Sequence, residues 1–287
     1  MSRPTAFVGG ALGAAGLLAA LAAGALTSGC TQEQITRGIQ TAGKVAQAIK
    51  PFSWSEEKEI GGTIAAKVAG SNPVVSDRRA NAYVNLVAQT VASRSATPDI
   101  FPRVGIVRDE VPNAYACPSG YIFVTTGLLR TCRDESELAG VLGHEFVHVA
   151  KRHTTNELRW KRGMSCAAEE AAKYGPGQIQ EMYPGFKGIV DQGINGVVNN
   201  RHGDKAEEEA DLLGAEWAAR AGYDGAGLGR FIERLPGGAS GRWKEFAVYK
   251  DGTTRAQRIA ANMAGLKLHA GGAANAERYK REVAGAL

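Results

Sequence analysis

Two histidines and a glutamate stand in the spacing of a hydrolytic metal site within VLGHEFVHVAKRH, residues 141–153. His144 and His148 are four residues apart, so on an α-helix both imidazoles lie on one face and can bind one metal ion. Glu145 is rotated about 100° from His144, because a helix has 3.6 residues per turn, and it can reach a water bound to the ion. Zinc lowers the pKa of such a water to about 7, and a neighbouring carboxylate can take its proton. The alternative is a helix that carries two histidines by chance.

A third ligand is available in a second stretch, EEEAD at residues 207–211. A catalytic zinc site needs three protein ligands and one open position. Glu207 and Asp211 are four residues apart on one helical face, so Glu207 can complete a site for one Zn²⁺ ion. Asp211 can accept a hydrogen bond from a ligating histidine and fix its tautomer. Glu208 and Glu209 are expected to point off that face as solvated charges.

The other histidines have no spacing that argues for metal binding. His153 follows His148 by five residues, about 140° around a continuing helix, so it is expected to face elsewhere as a surface or secondary contact. His202 lies beside a glycine in a loop-like stretch, and His269 lies in the C-terminal tail. None of the three is a predicted ligand.

Helical and strand patterns alternate around these residues. Asp134 and Glu137 stand as N-cap and third residue of the helix that carries the motif, a variant of the capping box. RVGIVRD and YIFVTT are typical of strands, and Pro118-Ser119-Gly120 indicates a turn before the second one. Further helices are predicted at residues 53–70, 77–95, 205–222, 228–235 and 254–266, with a frayed helix in the tail. The pattern therefore predicts an α+β, mostly helical fold with a small β-sheet whose edge strand borders the active-site helix.

One segment, residues 163–203, has a weaker pattern that is rich in glycine and turn residues. It can be a lid over the site or a variable surface loop, and the sequence does not decide between them.

Composition excludes several classes of protein. Of the 287 residues, 44% are hydrophobic and 22% charged, which is typical of a globular protein and not of a disordered one. The net charge is +5 without a dense Lys/Arg run, so a nucleic-acid partner is not expected. After Cys30, three cysteines remain, Cys117, Cys132 and Cys166, and their spacing does not say which of them pair.

The first thirty residues have the pattern of a secretory signal. Arg3 is followed by small and apolar residues up to Leu26, and Thr27-Ser28-Gly29 precedes Cys30. This ending is similar to the lipobox of bacterial lipoproteins, although Thr27 stands where leucine is usual. We expect a signal at residues 1–29, lipidation of Cys30, a tether at 30–51, a catalytic domain at 52–268 and a tail at 269–287. The alternative is an uncut N-terminal helix in the inner membrane.

The combination of HExxH, ExxAD about sixty residues later and NAYACPSGYIFVTTGLL before both resembles a known family. These motifs are similar to those of membrane-associated zinc peptidases of the CAAX prenyl protease and HtpX type, above all their soluble periplasmic branch. The resemblance covers about residues 54–262 and implies a zincin-like domain. It also implies that His144, His148 and Glu207 bind zinc, that Glu145 is the catalytic base and that Asp211 orients a ligand.

Three departures from the family pattern accompany the resemblance. Pro118-Ser119-Gly120 replaces Pro-Gly-Gly, and Gly203-Asp204-Lys205-Ala206 stands in place of the usual Ser-Arg. Gly252 occupies the position of a family histidine six residues before Arg258, which leaves the residue that stabilises the oxyanion unassigned.

The resemblance implies a zinc endopeptidase that degrades misfolded envelope proteins in the periplasm. The signal pattern predicts that it is a lipoprotein of the outer membrane. A peptide substrate is expected to add as a strand alongside Tyr121, Ile122, Phe123 and Val124. One alternative is a chaperone-like lipoprotein with latent or no proteolytic activity, against which the intact Glu145 argues. Another is a single-metal hydrolase acting on non-peptide amides. The sequence predicts neither the natural substrate nor the oligomeric state.

Overall fold

The computed structural model describes residues 32–173, 203–235, 252–268 and 274–287. The chain divides into two units, residues 1–52 with 156–201 and residues 53–155 with 202–287. The described elements, in chain order, are α1 (Gln32–Ala48), α2 (Trp54–Ser71), α3 (Arg78–Ala92), β1 (Arg103–Val107), β2 (Ala114–Cys117), a one-turn 3-10 helix (Pro118–Gly120), β3 (Tyr121–Thr125), α4 (Thr126–Thr131), α5 (Glu135–Ala150), α6 (His153–Ala172), α7 (Asp204–Arg220), α8 (Gly227–Glu233), α9 (Gly252–Gly265), α10 (Ala276–Val283) and a short 3-10 turn (Ala284–Ala286).

The first unit contains α1 and most of α6. Lys44 donates to Glu170 at 2.9 Å, and the Arg162 guanidinium donates to the main-chain carbonyls of Ala48 and Lys50 at 2.5 and 2.9 Å. Arg162 also stacks on the ring of Phe52 at 4.4 Å. The predicted tether, residues 30–51, thus contains a helix with polar contacts of its own.

The second unit is built around α5, the helix that carries HExxH. Asp134 is its N-cap and accepts from the Glu137 main-chain N–H at 2.9 Å, as the sequence predicts. Glu137 does not close a capping box, because its carboxylate accepts from the Arg133 N–H and binds Arg234. Fifteen of the helix's sixteen residues are buried, so α5 forms the centre of the core instead of an amphipathic surface helix.

The sheet has three strands in the order β1-β3-β2. β3 pairs in parallel with β1 and antiparallel with β2, so it is the central strand and both its edges are occupied. The prediction that a peptide adds alongside Tyr121, Ile122, Phe123 and Val124 is therefore wrong. β2, not β3, is the edge strand next to α5.

The C-terminal tail is anchored in the core instead of fraying. Tyr279 and Val283 of α10 are 2% and 1% exposed, and the Tyr279 hydroxyl donates to the Leu129 carbonyl. Tyr279 also packs against Tyr83 of α3, with 6.4 Å between ring centroids.

Several predictions fall partly or wholly outside the described residues. Residues 163–172 of the glycine-rich segment form the end of α6, but residues 174–202 lie outside, so a lid stays a prediction. The signal, Cys30, His202 and His269 also lie outside. Within the described ranges, no helix combines the length and apolar character needed to cross a membrane.

Candidate metal centre

Two glycines allow the helices that carry the predicted ligands to come close together. A Cβ on Gly143 of α5 would lie 2.6 Å from the Gly214 carbonyl oxygen, and one on Gly214 of α7 would lie 2.5 Å from the His144 nitrogen. Any larger residue at either position would force the two backbones apart. Glu207, Asp211 and Gly214 are spaced i, i+4, i+7 on α7, so this contact turns both carboxylates toward α5.

The three predicted ligands meet at this contact. His144, His148 and Glu207 place ligand atoms within 4.8 Å of one another, and all three residues are buried. The Nε2 atoms of the histidines are 3.1 Å apart, and they lie 3.5 and 3.7 Å from the two carboxylate oxygens of Glu207. Zinc bonds of about 2.0–2.2 Å place the ligand atoms of a tetrahedral site about 3.3–3.6 Å apart. The observed separations bracket that range, so the arrangement fits a metal ion.

The charge of Glu207 supports the same fit. Its side chain is largely buried, and among the described residues its Oε2 has no hydrogen-bond partner. An orphaned buried carboxylate oxygen is costly, and a bound cation satisfies it.

Asp211 holds one of the two histidines in place and is itself held by an arginine. Its Oδ1 is 3.0 Å from His144 Nδ1, which directs His144 Nε2 toward Glu207. Arg255 of α9, 1% exposed, donates to both carboxylate oxygens of Asp211 at 2.7 and 2.6 Å. Arg255 is not among the site residues that the sequence predicts. Arg258, which matches the family's arginine, is 43% exposed and lies 3.6 Å from Glu208.

The electrostatics of this cluster favour charged forms. Burial by itself lowers the pKa of His144, but hydrogen bonding to Asp211 and the charge of Glu207 raise it to about 10. Burial by itself raises the pKa of Asp211, but hydrogen bonds from His144 and Arg255 lower it. The pocket thus stabilises positive charge at the point where a cation would bind.

Glu145, the predicted base, is 3% exposed on α5. It lies outside the three-ligand group, as expected from its rotation of about 100° relative to His144.

The family of the chain follows from its similarity to known proteins. The model of peptidase family M48 matches residues 76–277. The chain belongs to this family.

Individual M48 relatives support the assignment over different lengths. The mitochondrial metalloendopeptidase OMA1 of Schizosaccharomyces pombe is 30% identical over 155 residues, 53% of this chain and 43% of the relative. The beta-barrel assembly-enhancing protease of Yersinia pestis is 25% identical over 225 residues, 70% of this chain and 44% of the relative. The metalloprotease YcaL of Escherichia coli K12 is 26% identical over 258 residues, 88% of this chain and 98% of the relative. The chain thus spans less than half of the length of the first two relatives. M48 peptidases depend on a metal, and the three-ligand group is where this chain can hold one.

The histidine just after the M48 motif departs from the sequence prediction. The helical spacing predicts that His153 faces away from His148, but its Nδ1 lies 2.9 Å from His148 Nδ1. The predicted orientation is wrong because α5 ends at Ala150 and Arg152 takes a left-handed conformation, with φ of 58°. The predicted alternative of a secondary contact agrees with the structure. The 140° rotation assumes a helix that continues through His153.

Glu209 also differs from its prediction as a solvated charge. Its Oε2 is 3.3 Å from His153 Nε2, and its Oε1 accepts from Lys151 at 2.6 Å. It therefore belongs to the surroundings of His148, whereas Glu208 is exposed as predicted.

The hairpin before α5 also lies close to His148. A cavity of about 10 Å³ between them is lined by residues that include Glu57, Ala116, Ser119 and Thr155. Glu57, 3% exposed, accepts from Thr155 at 3.2 Å, and burial raises its pKa against the opposing effect of Arg152. A cavity of this size holds about one water molecule, so the hairpin and His148 are closely packed there.

The cysteine pairing left open by the sequence does not occur among the described residues. Cys132 and Cys166 are free thiols, and Cys117 and Cys132 are buried.

Proposed function

We propose that this chain is a zinc-dependent endopeptidase of the bacterial cell envelope that degrades misfolded or misassembled outer-membrane and periplasmic proteins. The observation that carries the proposal is the buried group of His144, His148 and Glu207, with an unsatisfied oxygen on Glu207. Glu145, which follows His144 in the sequence, is buried as well. The names of relatives such as the beta-barrel assembly-enhancing protease of Yersinia pestis support the class of substrate.

In this proposal, His144 and His148 bind the ion through Nε2 and Glu207 through its carboxylate. When bound, zinc supplies a Lewis acid that polarises the scissile carbonyl and makes water a better nucleophile. Glu145 takes the proton of the attacking water and delivers it to the leaving amine. Asp211 and Arg255 keep His144 in the tautomer that presents Nε2.

The peptide is proposed to pair with β2 instead of β3. The Thr125 N–H donates to the Asn113 carbonyl at 3.0 Å, and the register pairs Ala114 with Val124 and Ala116 with Ile122. In an antiparallel ladder the bonded positions alternate, so Ala116, which is partly exposed, directs its main-chain groups away from β3. Ala116 and His148 line the same small cavity, and this proximity supports β2 as the strand that binds the peptide.

A cleavage assay tests the proposal. An unfolded outer-membrane barrel protein and unfolded casein are each incubated with the wild type, with and without a zinc chelator, and with Glu145→Gln. We expect cleavage by the wild type that the chelator abolishes and added zinc restores. The proposal would be overturned by equal loss of intact substrate with the wild type, the chelated wild type and Glu145→Gln, or by no cleavage with the zinc-loaded wild type. No cleavage together with suppressed aggregation of the unfolded substrate would favour the chaperone alternative.

We also propose that Cys30 is lipidated and anchors the chain in the outer membrane. The support is the signal pattern before it and the Thr31 that follows it, since an aspartate at that position usually retains lipoproteins in the inner membrane. Mass spectrometry of the mature N-terminus tests this. Acylated Cys30 is the expected result, and an unmodified chain starting at Met1 in the membrane fraction would contradict it.

A further inference from the structure

His148 has an outer contact of its own, built from residues that the three-ligand site does not use. His153 Nδ1 lies 2.9 Å from His148 Nδ1, and His153 Nε2 lies 3.3 Å from Glu209 Oε2. The rings of His148 and His153 meet edge to face, with centroids 4.9 Å apart. We propose that His153, supported by Glu209, is a positioning residue that holds His148 for metal binding. This inference rests on the proposed metal site.

The direction of the hydrogen bonds follows from the role of His148. Its Nε2 faces the carboxylate of Glu207 and the Nε2 of His144, so Nε2 is the atom available to the metal. A neutral imidazole that ligates through Nε2 carries its proton on Nδ1. That proton can be donated only to an acceptor, so His153 Nδ1 accepts it and His153 carries its own proton on Nε2. The Nε2–H then donates to Glu209.

This arrangement parallels the one around His144. There Asp211 accepts from Nδ1 and is fixed by Arg255. Here His153 accepts from Nδ1 and is fixed by Glu209, whose other oxygen binds Lys151 at 2.6 Å. Each ligating histidine thus has one outer partner on its Nδ1, and the two partners reach the site from different elements.

The backbone supports the same assignment. Arg152 is a non-glycine residue with φ of 58°, a conformation that costs free energy. Without that turn, α5 would carry His153 away from the site. The side chain of His153 is 12% exposed, so its contact with His148 is largely shielded from water.

Zinc affinity tests the proposal without reference to activity. It is measured by chelator competition for the wild type, His153→Ala and His153→Asn. The Asn amide oxygen can occupy the place of Nδ1 and accept the same proton. Loss of an outer partner typically weakens metal binding 10–100-fold, so we expect about that loss for His153→Ala and recovery to within about fivefold of the wild type for His153→Asn. Wild-type affinity in His153→Ala, or equal weakening in both variants, would overturn the proposal.

Two further variants keep the test independent of folding and of the proposed function. Glu209→Ala is compared with Glu208→Ala, its exposed neighbour, and we expect weaker zinc binding for the first variant alone. If His153→Ala does not fold, this pair and His153→Asn decide the matter, and equal affinity of Glu209→Ala and Glu208→Ala overturns the proposal. If the wild type binds no zinc, the metal site itself is refuted. If the wild type binds zinc and substitution of His153 leaves the zinc affinity unchanged, only the positioning role is refuted.

Discussion

At the residue scale, a substitution of Glu145 separates metal binding from catalysis most clearly. Glu145→Gln keeps nearly the same shape but cannot take a proton. Because general-base catalysis contributes about 10²–10⁴-fold, we expect proteolysis to fall at least about a hundredfold. Zinc content and thermal unfolding should stay at wild-type values, since Glu145 is outside the ligand group. Cleavage at the wild-type rate by this variant would refute the assigned base.

Arg255 offers a second test at this scale, in stability instead of rate. Removing it leaves the Asp211 carboxylate buried beside His144 without its cationic partner. Breaking a buried ion pair costs about 3–5 kcal/mol, so Arg255→Ala should lower the free energy of unfolding in urea by that order. Arg258→Ala is the matched control on the same helix, and because Arg258 is 43% exposed we expect a change within about 0.5 kcal/mol. Equal effects of the two substitutions would contradict the assignment.

The central residues of the site are predictable from the sequence because helix periodicity is local. The i, i+4 spacings bring His144 to His148 and Glu207 to Asp211 on their helices, and the structure brings the two pairs together. Arg255 and His153 are not predictable in the same way. The contact of Arg255 depends on how α9 packs against the other helices. The contact of His153 depends on the left-handed conformation of Arg152, which the sequence does not indicate because the residue there is neither glycine nor asparagine.

At the scale of elements, the site depends on how closely α5 and α7 approach. In Gly214→Ala the new Cβ would lie 2.5 Å from the main-chain nitrogen of His144, and backbone cannot yield as a flexible side chain can. We expect α7 to move outward, a cost of about 1–3 kcal/mol from overpacking, and weaker zinc binding as Glu207 leaves the histidines.

Gly62→Ala is the control for this substitution. Gly62 lies inside α2, and a Cβ added there would have nothing within 4 Å, so alanine should stabilise the protein by up to about 1 kcal/mol. Urea unfolding and chelator competition measure both variants. If Gly214→Ala binds zinc as tightly as the wild type, the close approach of the helices does not set the site.

The ion pair between α3 and α10 predicts how the stability of the fold depends on pH. Arg79 donates to both oxygens of Glu282 at 2.6 and 2.9 Å, and this contact, with Arg281, lowers the pKa of Glu282 from 4.5 to about 2. A lowered pKa stabilises the fold above pH 4.5, and that stabilisation is lost as the pH falls toward 2. Glu282→Gln should therefore lower Tm at pH 7, and its difference from the wild type should shrink below pH 4.5. Glu277→Gln, at an exposed position of α10, serves as control, and a difference that grows in acid would contradict the account.

Element types are easier to predict than their arrangement. The strands and the main helices follow from local residue patterns, but strand order depends on a crossover. The chain passes from β1 to β2 and then inserts β3 between them, which no residue pattern in YIFVTT encodes. The substrate strand is placed incorrectly for this reason. In a hairpin considered alone, each strand keeps one unpaired edge, and the sequence does not show that β1 pairs with the free edge of β3.

At the scale of the whole molecule, one candidate metal centre lies within one family domain. The M48 match covers residues 76–277, and the buried three-ligand group lies within it. The family and the mostly helical fold can be expected from the motifs in the sequence. The anchoring of the tail by Tyr279 cannot, because one tyrosine in a polar helix does not reveal which surface it will cover.

The most direct test of the central claim is the metal content of the purified protein, measured by elemental analysis for the wild type, Glu207→Ala and Glu208→Ala. Glu207 supplies the third ligand from a helix far from the HExxH motif in sequence, whereas Glu208 is its exposed neighbour. We expect about one zinc per chain in the wild type and in Glu208→Ala, and loss of most of it in Glu207→Ala, because a catalytic site needs three protein ligands. Near-stoichiometric zinc in Glu207→Ala, or none in the wild type, would contradict the account.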